Sequence, residues 1–149
     1  MISAVRMYRL VLALSLAALL TAGTAAALPQ AAETGLTDEQ VKAAVLKHIQ
    51  SQSAKHGTFW VIDETGKSLN LEYVRMDDKL FGHIDPQTYF AGAQFTEGND
   101  PAPVQVDVVL RGVEPNRDVV EVTVRERHGK TLYTWTREGA FWKRQKAQS

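Results

Sequence analysis

The sequence predicts an α+β protein in which one N-terminal helix packs across a single twisted antiparallel sheet of five to six strands. Two observations carry this prediction. Apolar residues recur at helical spacing over residues 38–55, whereas the later segments alternate apolar and polar residues or are rich in β-branched and aromatic ones. Because an antiparallel sheet with one apolar face needs cover on that face, the helix is expected to lie against it.

The helix is predicted over about residues 38–55. Thr37 can cap its first turn while Gln40 reaches back to the cap, as in a capping box. Gly57 suits the position that follows the last turn. Residues at spacings of three and four then line one face of the helix: Val41, Ala44, Val45, His48 and Ile49.

Strands are expected after the helix stop. The first two form a hairpin through a turn at 64–67, and residues 97–103 form a loop. The predicted strands are residues 58–63, 68–76, 88–96, 104–110 and 118–127, with a short sixth strand at 140–144.

The register after the fifth strand is predicted from a two-residue turn at 128–129. That turn sets Val124 opposite Tyr133 and Val122 opposite Trp135, so that valines on the core side meet aromatic side chains. The other face of the sheet mixes charges of both signs and is expected to be solvated. Its members are Asn70, Glu72, Gln105, Asp107, Glu121, Thr123 and Arg125.

Residues 1–27 are typical of a secretory signal. A basic start is followed by an eleven-residue apolar run at 10–20 and by an A-x-A cleavage pattern that ends at Ala27. We expect cleavage after Ala27 and a periplasmic or secreted product; a segment retained as an anchor is the alternative.

The rest of the chain is expected to contain a linker at 28–36 and a single α+β domain at 37–149. The sequence has no cysteine, which excludes disulfides and a lipid-modified cysteine. Loss of the signal removes Arg6 and Arg9 from 17 basic residues and leaves 15 against 17 acidic ones, a net charge of −2. A nucleic-acid partner is therefore not expected, because such proteins carry a basic excess.

The order of elements, one helix and then an antiparallel meander, resembles the cystatin-like fold, in which a long sheet wraps an N-terminal helix. Five strings are also similar to a family of small exported bacterial domains with no assigned activity; this resemblance implies export and one domain but no chemistry. The strings are His56-Gly57-Thr58-Phe59, Leu69-Asn70-Leu71, Tyr89-Phe90, Val106-Asp107-Val108 and Tyr133-Thr134-Trp135.

The resemblance to cystatins does not extend to protease inhibition. Inhibitory cystatins present a Gln-x-Val-x-Gly hairpin tip and a Pro-Trp loop. The nearest strings here are residues 105–109, which lack the Gly and lie in a predicted strand, and Phe141-Trp142, which lacks the Pro. We therefore expect no inhibitory activity.

The best candidate for a catalytic cluster is residues 81–89, which hold His83, Asp85 and Tyr89. A histidine beside a carboxylate can act as a general base. Asp85 before Pro86 is equally an ordinary turn pair, so the favoured interpretation is structural.

No cofactor and no metal site are expected. His48 and His56 are eight residues apart, which is not the spacing of a helical zinc pair. His48 is instead expected at the edge of the core, hydrogen-bonded to a sheet carbonyl.

A possible binding face is predicted from Trp60, Ile62 and Trp142. The first strand carries large apolar groups on both faces, so Trp60 and Ile62 are left on the face away from the helix. They are covered either by the chain's own segment at 141–142 or by a partner, including a second copy.

The function predicted from these observations is an exported soluble binding or interaction module without catalysis, acting on an unknown protein or small ligand. The alternative is a small cone-shaped α+β enzyme of the isomerase or hydratase type that uses His83 with Asp85 or Tyr89. An enzyme would need ionisable groups that converge in one pocket, whereas a binding module needs an exposed apolar groove or edge.

Overall fold

In the computed structural model, which describes residues 35–148, one helix is followed by eight strands. The predicted signal at 1–27 and all but the last two residues of the linker at 28–36 lie outside the described residues. The elements are α1 (Asp38–His56), β1 (Phe59–Ile62), β2 (Ser68–Asp85), β3 (Thr88–Glu97), β4 (Asp100–Arg111), β5 (Asp118–Arg127), β6 (Lys130–Thr131), β7 (Tyr133–Glu138) and β8 (Phe141–Lys146).

The helix begins and ends where its capping residues predict. The backbone N–H of Thr37 donates to Gln40 Oε1 at 2.9 Å, and the N–H of Gln40 donates to Thr37 Oγ1 at 3.3 Å, which confirms the capping box. Gly57 follows the last turn with φ of 82°, a conformation that favours glycine, and its N–H donates to the carbonyl of Ser53.

Six strands form one antiparallel sheet in the order β1-β2-β3-β4-β5-β6, and β7 and β8 form a separate two-stranded sheet. Three strands separate β1 from β5 in that order, yet Cα atoms of the two approach to within 8 Å, so the sheet curls. The predicted α+β class is confirmed. The single predicted sheet is in fact a curled sheet and a second hairpin.

The concave face of the curled sheet carries the apolar core, and α1 lies against it. The helix buries Val41, Val45 and Ile49 there. Register places concave residues opposite one another, as in the pairs Phe59↔Leu71 and Ala91↔Val108. The strand side chains of this core are Phe59, Val61, Leu69, Leu71, Met76, Tyr89, Ala91, Ala93, Phe95, Val104, Val106, Val108, Leu110 and Val124.

β2 and β4 are longer than predicted. β2 continues past Met76 to Asp85, with an irregularity in its register between Met76 and Phe81. There the Asp77 carboxylate accepts the N–H groups of Lys79 and Leu80, so polar residues that are typical of a loop form a bulge within the strand.

The loop predicted at 97–103 is shorter in the structure than in the prediction. β4 already begins at Asp100, and Glu97 pairs with Asp100 across a tight turn. The strand tolerates Pro101 and Pro103 because they lie in the irregular stretch between the Glu97↔Asp100 and Phe95↔Val104 pairs, where no paired N–H is required.

The fifth strand and its turn are confirmed, but the register predicted beyond the turn is wrong. Arg127 pairs with Lys130 and Glu126 with Thr131, as a two-residue turn requires. The chain then leaves β5, and β7 pairs with β8 instead. Tyr133 and Trp135 therefore cross the convex face of the sheet rather than facing Val124 and Val122.

The convex face is not simply solvated, which corrects the expectation for Asp107 and Arg125. Asp107 is 0% exposed, and its carboxylate accepts hydrogen bonds from Tyr133 Oη at 2.9 Å, Trp135 Nε1 at 2.7 Å and Arg125 Nε at 3.2 Å. Trp135 also stacks on buried Phe90, with ring centroids 4.0 Å apart. The β7–β8 hairpin thus covers a second, polar and aromatic core.

Candidate functional site

The concave core is incompletely closed where the two ends of the curled sheet meet. β1 pairs only with β2 in the described part of the chain, and no ladder joins it to the neighbouring β5. A groove of about 370 Å³ opens between these strands and α1. We call it the seam groove; it is lined by His48, Gln52, Trp60, Val61, Ile62, Val119 and Val122.

The walls of the seam groove are apolar and exposed. β1 alternates, so that Phe59 and Val61 enter the core while Trp60 and Ile62 stay 42% and 55% exposed. Across the gap, Val119 of β5 is 47% exposed. Large apolar side chains that gather around one opening are typical of an interaction site, whereas scattered ones are not.

Two residues that line the seam groove each carry a buried polar atom without a partner. His48 Nε2 and Gln52 Oε1 are out of contact with solvent and have no hydrogen-bond partner among the described residues. The two residues are four apart on α1 and therefore lie on the same face of the helix, one turn from each other. Most buried polar groups in folded proteins are hydrogen-bonded, so this pair is unusual. Because neither atom contacts solvent, neither is presented to the open part of the groove.

His48 differs from its predicted role. The expected hydrogen bond from the imidazole to a sheet carbonyl is absent at Nε2, and the ring instead meets the edge of Phe59 at a centroid distance of 6.4 Å. Burial lowers the pKa of His48 below 6.5, and the positive charge of Arg117 lowers it further. The imidazole is therefore neutral at neutral pH and can either donate or accept at Nε2.

Charged side chains connect β1 and β5 at one end of the seam groove. Arg127 of β5 reaches Asp63, directly after β1, with Nη1 to Oδ2 at 3.3 Å, and it also bonds Glu97. The Asp63 carboxylate further accepts the hydroxyl of Thr65 and the N–H groups of Lys67 and Thr65, and these bonds lower its pKa. These ion pairs, rather than a ladder of backbone hydrogen bonds, connect the ends of β1 and β5.

The predicted catalytic trio does not converge on one pocket. His83 lines a pocket of about 240 Å³ beside Thr37 and Phe141, whereas Asp85 lines a shallow depression on the convex face. The Asp85 carboxylate accepts the N–H groups of Gln87 and Thr88, both at 2.8 Å, as in an Asx turn.

Tyr89 is the third member of that trio. Its ring lies in the concave core at a centroid distance of 6.1 Å from His83, and its hydroxyl donates to the carbonyl of Gly112 at 2.8 Å. Burial raises the pKa of Tyr89, so the phenol is neutral at physiological pH. These contacts fit a structural role for the residue.

The predicted binding face is divided between two places. Trp60 and Ile62 line the seam groove, but Trp142 lies on the convex side, where its ring meets Phe90 at a centroid distance of 5.9 Å. A Cβ on Gly82 would come within 2.7 Å of Trp142 Nε1, so only glycine lets β8 approach β2 this closely. The segment at 141–142 therefore covers the convex face and leaves Trp60 and Ile62 open.

Sequence reasoning missed Gln52 and Val119 as members of the site. Gln52 falls four residues after His48, which indicates a shared helix face, but nothing in the pattern shows that this face meets a gap. The gap depends on β1 and β5 meeting, which is a consequence of the curl of the whole sheet.

Residues 35–148 contain no group of three or more His, Asp or Glu side chains placed to hold a metal ion. They also contain no helix long and apolar enough to cross a membrane. Comparison with models of protein families, with curated proteins and with solved structures finds no match to this chain.

Proposed function

We propose that this protein is an exported, soluble binding module of cystatin-like architecture without catalysis, and that the seam groove is its ligand site. The observation that carries the proposal is the group of exposed apolar side chains, Trp60, Ile62 and Val119, around one opening. A ligand laid between them would remove apolar surface from water.

Export and architecture are supported by separate features. The apolar run at 10–20 and the A-x-A pattern ending at Ala27 support a periplasmic or secreted location. An N-terminal helix held by a curled antiparallel sheet supports the cystatin-like comparison.

The composition of the groove supports binding rather than catalysis. His48 is the one titratable residue among those that line it, and the others are apolar except for Gln52. The competing enzyme hypothesis requires His83 to act with Asp85 or Tyr89. The Asp85 carboxylate is engaged by two backbone N–H groups, and Tyr89 is engaged by Gly112.

The dimensions of the groove favour a small ligand over an inserted peptide strand. Adjacent strands in a sheet lie about 4.8 Å apart, so a strand added between two edges needs them about 10 Å apart. β1 and β5 approach to within 8 Å. A groove of about 370 Å³ is near the lower end of the range for small-molecule sites, about 300–1,000 Å³.

A fragment screen monitored by ¹⁵N–¹H correlation NMR tests the proposal. We expect fragments with an apolar body to shift the amide signals of residues 48, 52, 60–62, 119 and 122. Ile62→Gln should weaken binding roughly tenfold, because the loss of one apolar contact surface costs about 1.5 kcal/mol. Val74→Gln is the matched control, since Val74 is a similarly exposed strand residue outside the groove.

The screen can also contradict the proposal. Fragments whose shifts cluster around His83 and Asp85 would favour the enzyme hypothesis. A library that leaves the groove signals unmoved would mean that the seam groove is not a ligand site.

A further inference from the structure

The convex face carries an open depression of about 500 Å³ beside the β7–β8 hairpin, which we call the convex depression. Four neighbouring strands line one side of it through residues near their ends: Asp85 of β2, Thr88 of β3, Arg111 of β4 and Val120 of β5. Residues 142–144 of β8 line the other side. Its volume lies within the range of small-molecule sites, about 300–1,000 Å³.

Contacts with the sheet hold β8 in place beside this depression. Trp142 meets Phe90 of β3 at a ring centroid distance of 5.9 Å, and Arg144 Nη1 donates to Glu121 Oε1 of β5 at 2.7 Å. The strand therefore crosses from β3 to β5, and both sides of the depression are formed by ordered elements.

The two carboxylates that line the convex depression already have donors within the protein. Asp85 accepts the backbone N–H groups of Gln87 and Thr88, both at 2.8 Å. Glu121 accepts the guanidinium group of Arg144. Neither carboxylate therefore depends on a cationic ligand for its hydrogen bonds.

Arg111, in contrast, is an exposed cation with donors that the described residues do not engage. Its Nε donates to Thr88 Oγ1 at 3.3 Å, which holds the guanidinium group beside another residue of the depression. The charge of Arg111 acts on Asp85, but within residues 35–148 no carboxylate forms an ion pair with it. The two terminal nitrogens of a guanidinium group form a planar fork that can bind a carboxylate through two hydrogen bonds.

Apolar surface lies in the same depression. Val120 is one of the exposed large apolar residues of the protein, and Trp142 is half-buried. The charges of the lining residues favour an anion, because three cations stand against two carboxylates, a net charge of +1 in a chain whose net charge without the signal is −2. The cations are Arg111, Lys143 and Arg144, and the carboxylates are Asp85 and Glu121.

We propose that the convex depression is a second binding site, which takes small organic anions that combine one carboxylate group with an apolar body. The carboxylate binds the guanidinium group of Arg111, and the body lies against Val120 and Trp142. The juxtaposition of an unpaired, exposed guanidinium group with exposed apolar surface specifies this class. The site shares no lining residue with the seam groove and does not depend on it.

Four probes test the two parts of this ligand class: 3-phenylpropanoate, 3-phenylpropanamide, 3-phenylpropylammonium and propanoate. Titration of the purified protein at pH 7, followed by ¹⁵N–¹H correlation NMR, gives a dissociation constant and a location for each probe. We expect 3-phenylpropanoate to shift the amide signals of residues 85, 88, 111, 120 and 142–144. The other three probes should bind there at least about tenfold more weakly, because each lacks either the negative charge or the apolar body.

Two arginine variants test the role of the charge. Arg111→Gln should weaken 3-phenylpropanoate roughly tenfold and leave the binding of 3-phenylpropanamide unchanged. Arg75→Gln is the matched control, since Arg75 is also exposed and its Nε donates to a side-chain oxygen, Gln94 Oε1, at 3.3 Å. It removes the same charge from the protein outside the convex depression, so it should leave the binding of 3-phenylpropanoate unchanged.

Two adjacent valines test the location of the apolar body. Val120 lines the convex depression and Val119 lines the seam groove, and the two are almost equally exposed. Val120→Thr should weaken 3-phenylpropanoate roughly threefold, because a hydroxyl replaces a methyl group at the contact, whereas Val119→Thr should not change its binding. The NMR spectrum of each variant reports whether it is folded, and the four-probe comparison on the unaltered protein does not depend on the variants.

Three results would overturn this inference. The amide could bind as tightly as the carboxylate, Arg75→Gln could weaken 3-phenylpropanoate as much as Arg111→Gln does, or 3-phenylpropanoate could leave the signals of the convex depression unmoved. None of these results bears on the seam groove, whose signals belong to other residues. Shifts at His83, which lines a different pocket, would likewise place the probe outside the convex depression.

Discussion

The two faces of the curled sheet are both buried, but by opposite means. On the concave face, α1 covers apolar side chains such as Val106 and Val108, which need only shape and surface to be stabilised. On the convex face, the β7–β8 hairpin covers Asp107 and Arg125, whose charges are buried because each has partners. Alternation of residues along a strand shows which face is apolar, and it does not show which face is covered.

The convex face shows how a buried carboxylate is tolerated. Asp107 receives three donors, and Arg125 also reaches Asp77 at 3.4 Å. Burial and the charge of Asp107 raise the pKa of Tyr133, so its hydroxyl remains a donor. Since these hydrogen bonds and ion pairs share Asp107 and Arg125, the convex face should be more sensitive to single substitutions than the concave face.

The largest effect is expected from Asp107→Ala. It leaves the buried Arg125 with one carboxylate fewer and takes the acceptor from Tyr133 and Trp135, so the free energy of unfolding should fall by about 3–5 kcal/mol. Chemical denaturation measures it. Gln105→Ala, two residues away on the same face and strand, is the control and should cost less than about 1 kcal/mol. Equal losses of stability in the two variants would show that the hydrogen bonds of Asp107 contribute no more than an ordinary polar residue of the convex face.

A smaller effect is expected on the concave side of the same strand. Val106→Ala removes two methyl groups from the core beside Asp107, and it should lower the free energy of unfolding by about 2 kcal/mol. The comparison of Val106→Ala with Asp107→Ala in one denaturation series sharpens the contrast between the faces. A larger loss of unfolding free energy for Val106→Ala than for Asp107→Ala would contradict the expectation that the convex face is the more sensitive one.

The smallest effect should come from His48, the polar member of the concave side. Its folded pKa lies below its ordinary value of 6.5, so the unfolded chain binds the proton more readily than the folded one. This part of the stability is fully present above pH 6.5 and is lost as the pH falls from there toward the folded pKa. Thermal unfolding between pH 5 and 8 should therefore show a weaker pH dependence in His48→Gln than in the unaltered protein.

Local signals predicted the parts of the fold that short-range contacts determine. Thr37 and Gln40 identified the helix start, Gly57 its end, and residues 128–129 the turn after β5. Asp77 and its polar neighbours concealed the continuation of β2, because a bulge held by a side chain has the composition of a loop.

The parts that the sequence could not show depend on contacts between distant residues. Tyr133 and Trp135 leave β5 because Asp107, more than twenty residues away, accepts their hydrogen bonds. The exposure of Trp60 and Ile62 was predictable from alternation in β1, but the groove they line requires β1 and β5 to meet.

Contacts between a bound probe and the protein test the central claim most directly. For an uncharged aromatic fragment from the screen in complex with the labelled protein, we predict nuclear Overhauser effects from the fragment's ring protons to the Trp60 indole and to the methyl groups of Ile62 and Val119. Effects confined to Trp135 and Trp142 would place the ligand on the convex face and contradict the assignment of the seam groove as the binding site.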